Sequence, residues 1–203
     1  FSDGVSIKNW NNLLKDEFNP LLNRSIAGLY SPGSTYKLIT ALHAIEDENF
    51  DRKKNFKCTG HISFGNRKFH CWKKEGHGNV NLEDAIKKSC DCYFYNLAKY
   101  LEINRLANFS NKFSFGIQTG IDIPNELKGI MPNRDWKIRN RGEKWQKGET
   151  LNTVIGQGFM LSTPLQIAIM TARLATNKKI VPSIIFKKQR FESLNISQKN
   201  LDF

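Results

Sequence analysis

The 203-residue sequence predicts an α-rich α+β fold whose main sheet is under-represented. Three observations carry that expectation. Apolar residues recur at helical spacing behind Ser31-Pro32-Gly33-Ser34, a turn that opens into a helix. Thr163-Pro164 joins a capping Thr to a Pro at the first helical position, a strong helix start. Strand signals, in contrast, are few and short. The composition agrees with a globular chain: 39% of residues are hydrophobic and 25% charged, enough Ile, Leu, Val and Phe to bury a core.

The elements follow in order. Leu38, Ile39, Leu42 and Ile45 mark the first helix, which should stop by Asn49, where Asn and Asp accumulate. His61 to His70 reads as a hairpin with Gly65-Asn66 as its two-residue turn. A second helix starts near Asn81 and runs through Ala85, Ile86, Phe94 and Leu97, breaking around Ser89, where the apolar stripe is not clean. A third covers Ile103 to Phe113. Leu165, Ile169, Ala172 and Leu174 continue the helix that Thr163-Pro164 opens. Residues 189–203 are the one stretch that reads as disordered.

No apolar run approaches the ~20 residues of a membrane span, and no signal peptide is visible. The first residue is Phe1, so the expectation is a piece of a longer protein, soluble as it stands, with any membrane anchor elsewhere. The net charge is +12, but the Lys and Arg residues are spread along the chain. Clusters such as Arg52-Lys53-Lys54 and Lys187-Lys188 read as solvated faces. No nucleic-acid signature accompanies them, and no nucleic-acid partner is expected. A basic surface facing anionic lipid or cell-wall polymer fits better.

Ser34-Thr35-Tyr36-Lys37 is an S-x-x-K sequence at a helix start. Three residues is about one turn, so Ser34 and Lys37 share a face. A serine hydroxyl is a weak nucleophile until a base takes its proton, and an amine one turn away is a candidate base. The helix N-terminus adds partial positive charge near the attacking oxygen. The tetrad alone also fits a capped surface helix, and about one match is expected by chance. The flanks decide: a tight Pro32-Gly33 turn before it and a buried helix after it would hold the nucleophile rigid. Ser89-Cys90-Asp91 offers a second hydroxyl and a carboxylate that could relay protons and orient the lysine.

Here the chain resembles a known family. Gly28 to Lys37 is similar to the first motif of class B penicillin-binding proteins, and Ser89-Cys90-Asp91 to their second, in the S-x-D form of the elongation-type branch. Ile155-Gly156-Gln157-Gly158 with Thr163-Pro164-Leu165-Gln166 resembles the segment between the second and third motifs, and Asn19 to Arg24 the lead-in to the nucleophile. The resemblance implies a transpeptidase fold of the penicillin-binding protein and serine β-lactamase kind, mainly its helical part. It implies a D,D-transpeptidase that cross-links peptidoglycan stem peptides ending in D-Ala-D-Ala, and a target of β-lactams. Ser34 would be the nucleophile, Lys37 the base, Ser89 the proton shuttle and Asp91 the residue holding the Lys37–Ser89 network. It places the parent protein on the periplasmic side of the bacterial inner membrane, with the glycosyltransferase RodA and the scaffold MreC as partners. The family's third motif, K-T-G, does not occur in this sequence. Residues 1–203 are therefore expected to be a partial transpeptidase domain, lacking the opening strand and the K-T-G portion, with its central antiparallel sheet incomplete and its activity impaired. Two other readings remain open: an inactive split-gene fragment, and a β-lactam-binding or serine β-lactamase relative.

Cys58, Cys71, His77 and Cys90 form a C-x12-C-x5-H-x12-C series, which is not a zinc-finger spacing. Some elongation-type members carry a metal site made from this loop and the second motif, and the resemblance implies a structural Zn²⁺ here, with no cofactor for catalysis. Three thiolates and an imidazole suit tetrahedral zinc. The residues leave alternatives: a Cys58–Cys71 disulfide, a merely buried Cys90, or His61 or His70 in place of His77.

Overall fold

The computed structural model describes residues 3–185 and 189–203; Lys187-Lys188 lies outside them. Ten α-helices are present among the described residues: α1 (Ile7–Lys15), α2 (Arg24–Ala27), α3 (Lys37–Ile45), α4 (Leu82–Lys87), α5 (Asp91–Leu97), α6 (Ile103–Asn111), α7 (Arg134–Arg141), α8 (Lys147–Thr153), α9 (Pro164–Thr176) and α10 (Gln198–Leu201). A 3-10 turn, Gly33–Tyr36, runs straight into α3. The strands are β1 (Phe56–Cys58), β2 (His61–Phe64), β3 (Arg67–His70) and β4 (Gly78–Val80), in two antiparallel pairs, β1 with β4 and β2 with β3. No larger sheet occurs among the described residues, as the sparse strand signals predict.

The organising element is α3. It is apolar on nearly every side, with Ile39, Ala41, Leu42, Ala44 and Ile45 buried, so it can only be a central helix. It packs against α4, α5 and α6, which bring Leu82, Tyr93, Phe94, Leu97 and Leu106 into one core. Each such large side chain removed from water contributes about 2 kcal/mol. The start of α3 is tied down as well. Tyr36 is fully buried, bonds Ser110 Oγ at 2.6 Å through its hydroxyl, and meets the Phe115 ring edge-on at 5.2 Å. Thr40 Oγ1 donates to the Val154 carbonyl at 2.9 Å.

The hairpin falls as predicted, with His61 opposite His70 and Phe64 opposite Arg67. The break at Ser89 is also real: α4 ends, Ser89 takes a left-handed conformation with φ 49°, and α5 begins with Cys90 as its N-cap. The predicted start of α9 is a capping box, Thr163 Oγ1 accepting from the Gln166 N–H and Gln166 Oε1 from the Thr163 N–H. One expectation is corrected. Residues 189–203 are not disordered: Leu194 and Ile196 are buried in the core, Ser193 bridges Lys178, and α10 is held by Asn200 Nδ2 donating to the Ile45 carbonyl at 3.1 Å. Two apolar residues in a polar stretch suffice to dock it.

Candidate active site

Ser34 is exposed at the mouth of the turn, while Lys37, one turn on, is only 2% exposed. Two neighbours fix the turn. Gly33 sits at φ 57° and donates its N–H to the Gly156 carbonyl at 2.9 Å. Gly156 is itself at φ 69°, and a Cβ there would lie 2.3 Å from the Gly33 oxygen. No side chain fits between these backbones, so the Ile155-Gly156-Gln157-Gly158 segment acts as a backstop for the nucleophile turn.

The four residues predicted to carry the chemistry come together. Ser89 Oγ donates to Ser34 Oγ at 2.9 Å. Lys37 Nζ donates to Ser89 Oγ at 3.0 Å, to the Ser89 carbonyl at 2.9 Å and to Asp91 Oδ1 at 2.6 Å. The left-handed backbone of Ser89 aims its carbonyl and hydroxyl at one ammonium, a local strain of roughly 1–3 kcal/mol that a functional site can hold. Lys37 and Ser34 do share a face, but the direct partner of Ser34 Oγ is Ser89, with Lys37 next in the chain.

Sequence reasoning missed Trp72. Its backbone N–H donates to Asp91 Oδ2 at 3.0 Å, so the carboxylate is gripped on one oxygen by Lys37 and on the other by this N–H. Its indole N–H is shared between the carbonyls of Ser89, at 3.0 Å, and Lys88, at 3.1 Å. A backbone donor leaves no trace in residue identity, so only its place beside Cys71 could have hinted at it.

The second predicted cluster also converges. Cys58 ends β1, Cys71 follows β3, His77 precedes β4 and Cys90 caps α5, and their ligand atoms all lie within 4.8 Å of one another. His77 Nδ1 is 3.5 Å from Cys58 Sγ and 3.6 Å from Cys71 Sγ. Ligand atoms around a tetrahedral zinc sit about 3.5–3.8 Å apart, so the cage has the right size for that ion. All four cysteines are free thiols. His61 and His70 face each other across the hairpin, rings 5.9 Å apart, and neither joins the cluster. Burial pushes the Cys58 thiol up, but the Gly60 backbone and His77 outweigh it and bring its pKa down to about 6. Burial, and then Cys58, push Cys90 above the ordinary thiol range. Such closely packed thiols, with His77 Nδ1 turned toward Cys58 and Cys71, form a donor set that a divalent cation fits.

Comparison with known proteins shows the family. The family model described as the penicillin binding protein transpeptidase domain matches residues 5–202. The chain is 40% identical over 188 residues to the peptidoglycan D,D-transpeptidase MrdA of Acinetobacter baumannii, covering 91% of this chain and 28% of that protein. It superposes with TM-score 0.90 and 38% identity on PBP2 in a complex with MreC from Helicobacter pylori, covering 98% of this chain and 38% of that one. For Pseudomonas aeruginosa PBP2 in complex with WCK 5153 the TM-score is 0.83 and the identity 40%, over 89% of this chain and 40% of that one. The chain thus spans about a quarter to two-fifths of the relatives it matches.

Proposed function

The chain belongs to the penicillin-binding protein transpeptidase family, its relatives lying in the class B, PBP2/MrdA-type branch, and on that premise we propose that it carries the acylation machinery of a peptidoglycan D,D-transpeptidase of cell elongation. The observation that supports this most directly is the continuous hydrogen-bonded chain Ser34–Ser89–Lys37–Asp91. Ser34 Oγ attacks the carbonyl between the two terminal D-alanines of a donor stem peptide. Lys37 acts as base from its neutral form: it takes the Ser34 proton through the Ser89 hydroxyl, which restores the ammonium that Asp91 holds in the resting geometry. The hydrogen bonds run from Lys37 through Ser89 toward Ser34, the direction that returns the proton to the departing D-alanine amine. Loss of D-alanine leaves an ester on Ser34. An acceptor amine then attacks that ester, a new peptide bond forms, and Ser34 recovers its proton through Ser89.

Zn²⁺ held by Cys58, Cys71, His77 and Cys90 would have a structural part. With four protein ligands it has no open position for substrate. Cys90 lies between Ser89 and Asp91, and Cys71 precedes the Trp72 N–H that grips Asp91, so the bound ion braces both sides of the second motif. β-Lactams, RodA and MreC as ligand and partners, and the periplasmic face of the inner membrane as location, belong to the same proposal.

Labelling with a fluorescent penicillin followed by peptide mass spectrometry tests the reading. The expected adduct is on Ser34 and persists, as an acyl-transferase requires; rapid release of hydrolysed drug would favour a β-lactamase instead. Because the sequence holds no K-T-G, which in the family supplies an oxyanion-hole donor, labelling should be slow. One lost donor costs about 10²–10³ in rate. Labelling should rise when a segment bearing that motif is supplied. Label on another residue, or none even with that segment, would overturn the proposal.

A further inference from the structure

Trp72 is 64% exposed, an unusual position for the largest side chain in the protein. Yet it is not loose. Its backbone N–H is bonded to Asp91, its indole N–H to the carbonyls of Lys88 and Ser89, and its ring stands edge-on to His77 with centroids 5.3 Å apart. A rigid apolar face is therefore presented to solvent beside Ser89, whose hydroxyl touches the nucleophile. Rigidity matters here, because a pre-ordered aromatic loses little entropy on meeting a ligand.

That face forms one wall of a cavity of about 880 Å³ that reaches Ser89. The remaining rim is strongly basic: Lys73 and Lys74 come from the loop after β3, and Lys87 and Lys88 from the end of α4. Glu75 is the one carboxylate among the lining residues. Lys88 is ion-paired with Asp84 at 3.0 Å; among the described residues Lys73, Lys74 and Lys87 are in no ion pair. Like charges gathered in a concave site raise the local concentration of the opposite charge. The helix and the loop that supply them are fastened to each other by the Trp72–Ser89 and Trp72–Lys88 hydrogen bonds, so the rim keeps its shape.

We infer that this cavity is a subsite for the carboxylate-bearing part of the stem peptide, with Trp72 as the floor for its backbone and Lys73, Lys74 and Lys87 meeting a free side-chain carboxylate. The inference rests on the transpeptidase reading and adds what that reading leaves open: which chemical feature of the peptide, apart from its D-Ala-D-Ala end, this half of the site selects. An amide in place of the carboxylate lacks the charge and is bound less well.

The test uses two synthetic pentapeptides ending in D-Ala-D-Ala, one with an internal Glu and the other with Gln there, titrated into the Ser34→Ala chain so that no acyl-enzyme forms. Exposed charge pairs are individually weak, but three converging lysines should make the Glu peptide bind about three- to ten-fold tighter. That preference should shrink as salt is raised from about 0.05 M to 0.5 M, where the Debye length falls below 5 Å. It should vanish in the chain that also carries Lys73→Gln, Lys74→Gln and Lys87→Gln, with circular dichroism checking that this variant is folded. Equal affinity for the two peptides, no measurable binding of either, or a preference that survives in the folded triple variant would overturn the subsite. Penicillin labelling of the wild-type chain, with the K-T-G-bearing segment supplied, separates the two readings. Label on Ser34 without a Glu preference sinks the subsite alone. A Glu preference without label on Ser34 sinks the transpeptidase assignment and leaves the subsite standing.

Discussion

At the scale of single residues, the consequential feature is a buried cation with one counter-charge. Lys37 Nζ sits 2.6 Å from Asp91 Oδ1, and their side chains are 3% and 13% exposed. Removing one partner of such a pair is costlier than the pair is worth, because the other charge stays buried alone. Asp91→Asn is therefore expected to lower unfolding free energy by about 3 kcal/mol in urea titrations. Lys37→Met removes the charge but keeps the aliphatic stem, and should lose penicillin labelling with a smaller loss of stability. The double variant should be more stable than the two single losses predict together; simple additivity would show that the two side chains are not coupled. Ser89→Ala leaves both charges in place and removes only the relay. A slowing of labelling by about 10²-fold, with stability nearly unchanged, is expected, and unchanged labelling would remove Ser89 from the mechanism. Ser34 and Lys37 were legible as an S-x-x-K pair behind a Pro-Gly turn, and Ser89 and Asp91 through the resemblance of Ser89-Cys90-Asp91 to a family motif. Trp72 was not, since its contribution to Asp91 is a backbone N–H that any residue except proline could supply.

At the scale of elements, helices whose apolar residues enter the core were legible, and those that bury almost nothing were not, although α1 and α7 are capped by Ser6 and Asn133. The starts of α3 and α9, the hairpin and the break at Ser89 all follow from local signals. In α1, in contrast, no residue is buried, and in α7 only Lys137 is, a lysine held by Glu143 and Glu149. A polar helix kept in place by a buried ion pair carries no apolar period to read. Legibility also had a limit at α9: its capping box was visible, but not what Gln166 does beyond it. Gln166 is fully buried, and its amide nitrogen donates to the carbonyls of Ser114 at 2.6 Å and of Ile117 and Lys128 at 2.9 Å, pinning the connection between α6 and α7 to the start of α9. Gln166→Leu keeps the volume and strands these carbonyls and the Thr163 N–H. At about 1–3 kcal/mol for each buried group left unpaired, a loss of at least 3 kcal/mol is expected in urea unfolding. A loss under 1 kcal/mol would show that the loops find other partners. Gly156→Ala acts differently, since its Cβ would press on Gly33. Slower labelling of Ser34 by more than about ten-fold is expected there, because a small displacement of a nucleophile is costly in rate.

At the scale of the whole molecule, the two predicted clusters turn out to be one structure. The sequence separates Cys58 and Cys71 from the second motif by loops and strands, and its spacing alone left a disulfide and other histidines open; only the pairing of Cys58 with Gly78 across β1 and β4 brings His77 to the thiols. That register is a long-range fact, not a local one. The consequence is mechanical. The short sheets are two-stranded, and such pairs are marginal by themselves. They border the core through α5, so whatever ties β1, β3 and β4 to the start of α5 also supports Ser89 and Asp91. A metal bound to the folded form and not to the unfolded chain adds its binding free energy to stability. Protein purified without added metal should contain about one equivalent of zinc by elemental analysis. A strong chelator should lower Tm by several degrees, and penicillin labelling should fall with it, because Asp91 loses a fixed neighbour. Cys58→Ser should reproduce both losses. Cys92→Ser should retain the metal, because Cys92 is buried nearby but its sulfur is outside the four-residue set. A metal-free protein whose Tm ignores chelator, or a Cys58–Cys71 disulfide found by mass mapping, would show that the loop is braced by packing alone and that the second motif stands without an ion.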